Sequence, residues 1–161
     1  EFEEKTIEHS GSINGFVSYA VRVPEKKVLV VVLTNCPWRE TEVEYVGTWI
    51  AALLCGKPLV EKKAVILDTK TLDAIAGTYR IGEGDQRVIT REGNRLFSQR
   101  GGGEKLEVFA GSDTEFFYKG SFSHFTIVKD DSGKVIKMIM HKFVTDEEAI
   151  KLPDQPVPAK Q

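Results

Sequence analysis

Arg87-Val88-Ile89-Thr90-Arg91-Glu92-Gly93-Asn94-Arg95-Leu96-Phe97-Ser98-Gln99 holds two strand-like runs, Arg87–Arg91 and Arg95–Gln99, parted by Glu92-Gly93-Asn94. β-Branched and aromatic side chains suit a pleated backbone, while glycine and asparagine tolerate the angles of a tight reversal. The segment therefore reads as a hairpin. Similar strand runs continue on both sides. Upstream, Gly77–Ile81 precedes the turn Gly82-Glu83-Gly84-Asp85. Downstream come Leu106–Ala110, Glu115–Tyr118, His124–Lys129 and Val135–Phe143, separated by Gly101-Gly102-Gly103, Gly111-Ser112-Asp113 and Asp130-Asp131-Ser132-Gly133. Seven or eight strands in about 75 residues, each joined by a tight turn, predict an antiparallel up-and-down barrel, because closure removes exposed strand edges. The barrel is expected over 71–150, with Ile136, Met138 and Met140 sharing one core-facing side of its last strand.

The rest of the composition excludes several function classes. The 161 residues are 41% hydrophobic and 29% charged, as in an ordinary globular protein. The net charge of −2 is evenly spread, with 9 basic and 10 acidic side chains in 1–70 and 13 and 14 in 71–161. Such a balance lacks the basic face of a nucleic-acid binder. No apolar run reaches the ~18 residues of a membrane span. Gly101-Gly102-Gly103 is not followed by the lysine and helix start of a phosphate loop, so it reads as a hairpin loop. His124 and His141 have no metal-type partner at short spacing, so no metal site and no cofactor are expected. Cys36 and Cys55 read first as unlinked thiols, with a disulfide left open. Cellular location, extracytoplasmic or cytoplasmic, stays open as well.

Residues 1–58 have a different character. A strand over Lys5–Ser10 is expected to run into a small-residue bend, His9-Ser10-Gly11-Ser12-Ile13-Asn14-Gly15-Phe16, and to leave as Phe16–Val23. That second strand puts Val17, Tyr19, Val21 and Val23 on one face. After the turn Pro24-Glu25-Lys26-Lys27 comes Val28–Leu33, apolar on both faces, which calls for a sheet covered on both sides. A helix follows. Thr41 with Glu44 forms a capping-box pattern, and Val43, Val46, Trp49, Ile50, Leu53 and Leu54 form an apolar stripe. Gly56 and Pro58 end it. Residues 59–70 read as a linker and 151–161 as a loose tail. The fold class expected is mainly β: an α+β N-terminal segment of antiparallel strands plus one helix, then a small up-and-down barrel.

From Glu8 to Asn35 the chain resembles the third motif region of the serine β-lactamase and penicillin-binding-protein superfamily, in particular class C β-lactamases and the related esterases and D-amino-acid peptidases. The resemblance rests on His9-Ser10-Gly11 in the Lys-Thr-Gly or His-x-Gly position, the Asn14-Gly15-Phe16 bend, Ser18-Tyr19, Pro24-Glu25 and Leu33-Thr34-Asn35. Residues 71–150 resemble the lipocalin-like barrel found C-terminal to such hydrolases, through Leu72-Asp73-x-x-x-Gly77-Thr78-Tyr79, Arg91–Leu96 and Asp131-Ser132-Gly133-Lys134-Val135. The expected organisation is then an incomplete catalytic domain over 1–58, a linker over 59–70, the barrel over 71–150 and the tail. The Ser-x-x-Lys and Tyr-x-Asn motifs of the family are expected upstream of His9, which makes the chain the C-terminal part of a larger hydrolase.

The resemblance implies roles for named residues. His9 would meet a substrate carboxylate or the proton network around the nucleophile; a surface histidine on a strand is the alternative. Ser10 would offer a hydroxyl to the same anion, and Gly11 completes the triplet. Ser12 would supply the oxyanion-hole backbone N–H. Asn14 and Asn35 would touch substrate, Asn35 being equally readable as a strand-ending turn residue. Two function classes follow. One is a penicillin-binding-protein-like serine hydrolase cleaving esters, amides or D-amino-acid peptides through an acyl-enzyme, with the barrel as an accessory. The other is a non-catalytic barrel module for small-ligand binding or oligomerisation. The expected partners are an upstream catalytic portion, a second copy of the chain through residues 1–58, and a small-molecule or peptide substrate of the intact enzyme.

Overall fold

The computed structural model describes residues 2–35, 40–141 and 146–153. They divide into two compact units, 1–61 with 120–122, and 62–119 with 123–161. The first is organised by β2 (Phe16–Val23), whose alternation buries Val17, Tyr19, Val21 and Val23 and leaves Phe16 and Arg22 exposed. It is the central strand of a three-stranded antiparallel sheet, between β1 (Ile7–Ile13) and β3 (Val28–Thr34). β1 corrects the expected bend. The strand runs on through His9-Ser10-Gly11-Ser12 to Ile13, and the reversal is confined to Asn14-Gly15, with Gly15 at φ +82°. Small residues at a sheet edge weaken a strand without breaking it.

Helix α1 (Glu40–Leu54) covers one face of this sheet. Thr41 lies within its first turn rather than ahead of it. The buried side of the helix is Val43, Gly47, Thr48, Ala51 and Ala52. This overturns the expected stripe: Val46 and Trp49 are half-buried, and Ile50, Leu53 and Leu54 are exposed. The reason is steric. A Cβ at position 47 would stand 2.5 Å from the Tyr19 ring, so the helix rests on that ring through its smallest residues and turns its largest ones away. Tyr19 also reaches Thr48, hydroxyl to hydroxyl, at 3.2 Å. The helix ends as Gly56 suggested: Gly56 has φ +71° and donates to Leu53 O at 3.0 Å, and Lys57 donates to Ala52 O at 2.9 Å. On the other face of the sheet none of the described residues of this unit covers β3, and Leu29, Val31 and Leu33 are exposed.

In the second unit, α2 (Thr69–Ile75) begins where a linker was expected. Asp68 caps it, accepting from Thr71 N at 2.7 Å, and Leu72 and Ile75 are buried in the barrel core. Leu67 packs on that core too, and Val65 N–H donates to Ala110 O at 2.8 Å. Eight strands then close on themselves: β4 (Gly77–Ile81), β5 (Asp85–Glu92), β6 (Arg95–Arg100), β7 (Lys105–Ala110), β8 (Glu115–Phe117), β9 (His124–Lys129), β10 (Val135–His141) and β11 (Asp146–Lys151). Every neighbouring pair is antiparallel, and β11 pairs with β4 to shut the barrel. Gly93, at φ +62° in the first position of the two-residue β5–β6 turn, takes the angle that a type II′ reversal needs. Tyr79, Ile89, Phe116, Phe125, Ile127 and Met138 fill the interior. One expectation about β10 fails. A register shift between Val135 and Lys137 turns Val135 inward with Met138 and Met140 and leaves Ile136 exposed. Phe143, the expected end of that strand, lies outside the described residues.

Candidate functional site

The register of the small sheet sorts the predicted residues by face. His9 pairs with Ala20, which pairs with Val31; Gly11 pairs with Ser18, which pairs with Leu33. These rows lie on the face opposite α1. Ser10 and Ser12 pair with Tyr19 and Val17, on the α1 side. His9 and Gly11 thus share one face, and Ser10 and Ser12 share the other. Since β1 is an edge strand, the residues of both sets adjoin one backbone edge. His9, Ser12 and Asn14 are exposed; Ser10 and Gly11 are half-buried.

Gly11 is fixed by its neighbour. Ser18 Oγ donates to Gly11 O at 3.3 Å, and a Cβ on residue 11 would lie 2.9 Å from that hydroxyl oxygen. The hydroxyl and the glycine occupy space that a side chain would fill. Next to them is an open depression of about 480 Å³ lined by Phe16, Val17, Ser18, Leu33, Thr34 and Asn35. Of the predicted substrate contacts, Asn35 lines it and Asn14 does not. Phe16, Ser18 and Leu33 were not singled out in the sequence as site residues. The signal that finds them is the cross-strand pairing, which depends on the Asn14-Gly15 turn fixing the register. Chemically, the depression offers an apolar wall, one hydroxyl, one carboxamide and an adjoining strand edge. That combination suits a substrate with an amide or ester group and an apolar side chain.

Beneath this face, burial drives the Tyr19 hydroxyl pKa above its ordinary value, and the nearby Glu8 carboxylate pushes the same way; the Thr48 hydroxyl acts against them. Tyr19 therefore stays a neutral hydroxyl, a packing and hydrogen-bonding group rather than a base. Glu4, on the lead-in to β1, accepts from Lys57 at 3.0 Å, and this holds its carboxyl below the usual range.

Penicillin-binding protein 4* of Bacillus subtilis (strain 168) is 26% identical to this chain over 157 residues. The match takes in 91% of the chain and 34% of the relative, so the chain spans about a third of that protein's length. At this level the chain is a weak homologue of a penicillin-binding protein, and its described residues form an eight-stranded barrel and a small three-stranded sheet. No family model matches. Two solved structures, "Crystal structure of SurE with D-Leu" and "Crystal structure of SurE", are similar at 17% and 15% identity, each with a TM-score of 0.43. They cover 90% and 91% of this chain and correspond to 35% and 34% of those proteins.

In the barrel, the two histidines that lie far apart in sequence are brought together. His124 and His141 are direct cross-strand neighbours with ring centroids 4.7 Å apart. His141 Nδ1 lies 2.9 Å from Asp146 Oδ1 and its Nε2 2.8 Å from Thr126 Oγ1, which donates to Glu115 Oε1 at 2.8 Å. Among the described residues no group of three or more His, Cys, Asp or Glu is placed to hold a metal ion. No helix of the described residues is long and apolar enough to cross a membrane. Cys55 is half-buried and free; Cys36 lies outside the described residues.

Proposed function

We propose that residues 1–58 supply the third-motif wall of a penicillin-binding-protein-like serine hydrolase, and that the barrel is its accessory module. The observation that carries this reading is the 26% identity to penicillin-binding protein 4* along 91% of the chain. In this reading His9 holds the substrate carboxylate or relays a proton near the nucleophile, working from the exposed face of β1. Ser12 contributes its backbone N–H to the oxyanion, a role that depends on strand geometry and not on the serine hydroxyl. Ser10 offers a hydroxyl at the same edge, and Asn14 and Asn35 contact the substrate. The depression beside Gly11 and Ser18 receives the substrate's apolar group. The reaction class is ester, amide or D-amino-acid peptide cleavage through an acyl-enzyme, with the nucleophile in a Ser-x-x-Lys segment ahead of His9. A nucleophile and its base must stand within hydrogen-bond reach, so residues 1–161 alone are inactive in this reading.

Fluorescent penicillin tests it. The label is expected on a polypeptide in which residues 1–161 follow a segment carrying Ser-x-x-Lys and Tyr-x-Asn, and not on residues 1–161 alone. In the longer polypeptide His9→Ala should slow acylation by about 100-fold, the range seen on losing one acid–base or electrostatic group. Labelling of residues 1–161 by themselves, or an unchanged acylation rate in His9→Ala, would overturn the assignment.

A further inference from the structure

The barrel interior holds a charge that, among the described residues, no acid neutralises directly. Arg87 projects from the inward face of β5 and is only 9% exposed. Its Nη1 donates to Ser98 Oγ at 3.0 Å and to Tyr118 Oη at 3.2 Å, and Tyr118 donates to Ser98 Oγ at 3.0 Å. Both partners are neutral hydroxyls. Two acids stand near, and both are committed to another arginine. Asp85 accepts from Arg100 Nε at 2.7 Å and from Gln86 N–H at 2.8 Å, and Glu147 Oε2 lies 3.3 Å from Arg100 Nη2. Arg100 is itself the cross-strand neighbour of Arg87, so two like charges face each other across β5 and β6. Directly opposed like charges destabilise a sheet.

A guanidinium does not shed its proton, so burial cannot be relieved by neutralisation as it would be for lysine or histidine. A buried charge without a counter-charge is costly to a fold. Arg87 uses one nitrogen, Nη1, for its bonds to Ser98 and Tyr118, which leaves the Nε–Nη2 edge of the fork unengaged by them. That edge is the one that meets a carboxylate through two parallel hydrogen bonds.

We infer that Arg87, Ser98 and Tyr118 form a carboxylate-binding site at one end of the barrel, independent of the hydrolase reading. The ligand class is a small monocarboxylate. Its head group pairs with the Arg87 fork and lies beside the Tyr118 hydroxyl. Doubly charged anions are disfavoured by Asp85 and Glu147, which lie at the same end. The core behind the site is already occupied: the Phe125 ring stands 6.3 Å from the Tyr118 ring and stacks on Phe116 at 5.1 Å. The carboxylate therefore enters head first, and the carbon end of the ligand stays toward the half-exposed Asp85 and Arg100.

Two sources share this chemistry, a free short-chain acid and the C-terminus of a peptide. Calorimetric titration of residues 1–161 at constant ionic strength with butanoate, octanoate, Ala-Ala-Ala and Ala-Ala-Ala-amide separates them. Binding in the range of about 0.1–1 mM is expected for at least one acid and not for the amide. Binding by the fatty acids alone makes the source a free acid, and binding by the tripeptide acid makes it a peptide terminus; both outcomes support the site. Arg87→Met should weaken binding at least tenfold while leaving the thermal midpoint equal or higher, since the buried charge is gone. Tyr118→Phe, which keeps the ring, should weaken binding several-fold and serves if Arg87→Met fails to fold. No binding of any acid up to about 20 mM, equal binding of acid and amide, or affinity undiminished in both variants would overturn it.

Discussion

The three-stranded sheet and the eight-stranded barrel bury apolar residues by different means. Along β3, Val28–Thr34, nearly every side chain is apolar, yet Leu29, Val31 and Leu33 are exposed, Leu33 at 75%. Along β5 only Val88 and Ile89 of the eight residues are apolar, yet Ile89 is 1% exposed. An open sheet has two faces and needs a separate layer for each; α1 supplies one. A barrel has an inside by construction, so one buried residue in two suffices. The more hydrophobic strand is thus the less well covered. Within its unit, the apolar face with Ile7, Ile13, Phe16, Leu29, Val31 and Leu33 is of the kind that marks an association surface.

Core truncation in the barrel should have the largest effect. Phe125→Ala removes a fully buried ring stacked on Phe116 and should cost about 3–5 kcal/mol, read as a lower urea midpoint by circular dichroism. Next is the seat of the helix. Gly47→Leu places atoms where the Tyr19 ring stands and should cost about 1–3 kcal/mol. Trp49 stands on α1, so its fluorescence is a reporter within the first unit. It should move in Gly47→Leu while the barrel's hydrogen-exchange protection does not; loss of both together would erase the distinction between the units.

The open face should respond in the opposite manner. Val31→Thr with Leu33→Ser is expected to change unfolding stability by no more than about 0.5 kcal/mol, because these side chains are already in water. The same pair should reduce apolar-dye binding and any self-association seen by sedimentation equilibrium. A large loss of stability would show that the face is covered after all.

The smallest effect is electrostatic. Hydrogen bonds from Arg100, Lys105, Lys129 and Ser132 hold the Asp85, Glu92, Asp113 and Asp130 carboxyls, respectively, below their ordinary values. A carboxyl with a lowered folded pKa stabilises the fold above its unfolded value and loses that contribution as pH falls through the folded one. The barrel midpoint should therefore decline below about pH 4 and hold steady above it; the decline should shrink in high salt because these groups are at the surface.

Much of this was readable in the residues and some was not. The hairpins of 77–141 follow from turn chemistry alone, as Gly93 shows. β11 escaped notice because Asp146–Lys151 buries only Ala149 fully, and the strand exists by pairing with β4 and β10 rather than by its own pattern. The apolar stripe of α1 is not legible in full because hydrophobicity does not register clearance: Gly47 faces the sheet where a Cβ would meet the Tyr19 ring. For the candidate site, His9 and Gly11 stood out as residue types, whereas the Ser18–Leu33 row needed the register. Arg87 gave no sign of burial, since an arginine in a mostly polar strand reads as a surface residue.

The β4–β11 seam also sets the order in which the protein can be made. Every other ladder of the barrel joins strands that follow one another, but Lys151 pairs with Tyr79 from the opposite end of the module. On the ribosome the hairpins from β4 to β10 emerge with no means of closing, and the two edges stay unpaired until the last strand is released. Closing a loop of that length carries the largest entropic cost in the module and makes it a late event. A stop codon just before Asp146 would thus leave most of the barrel's residues in place and remove its closure, giving an open, edge-exposed sheet prone to pairing with its neighbours.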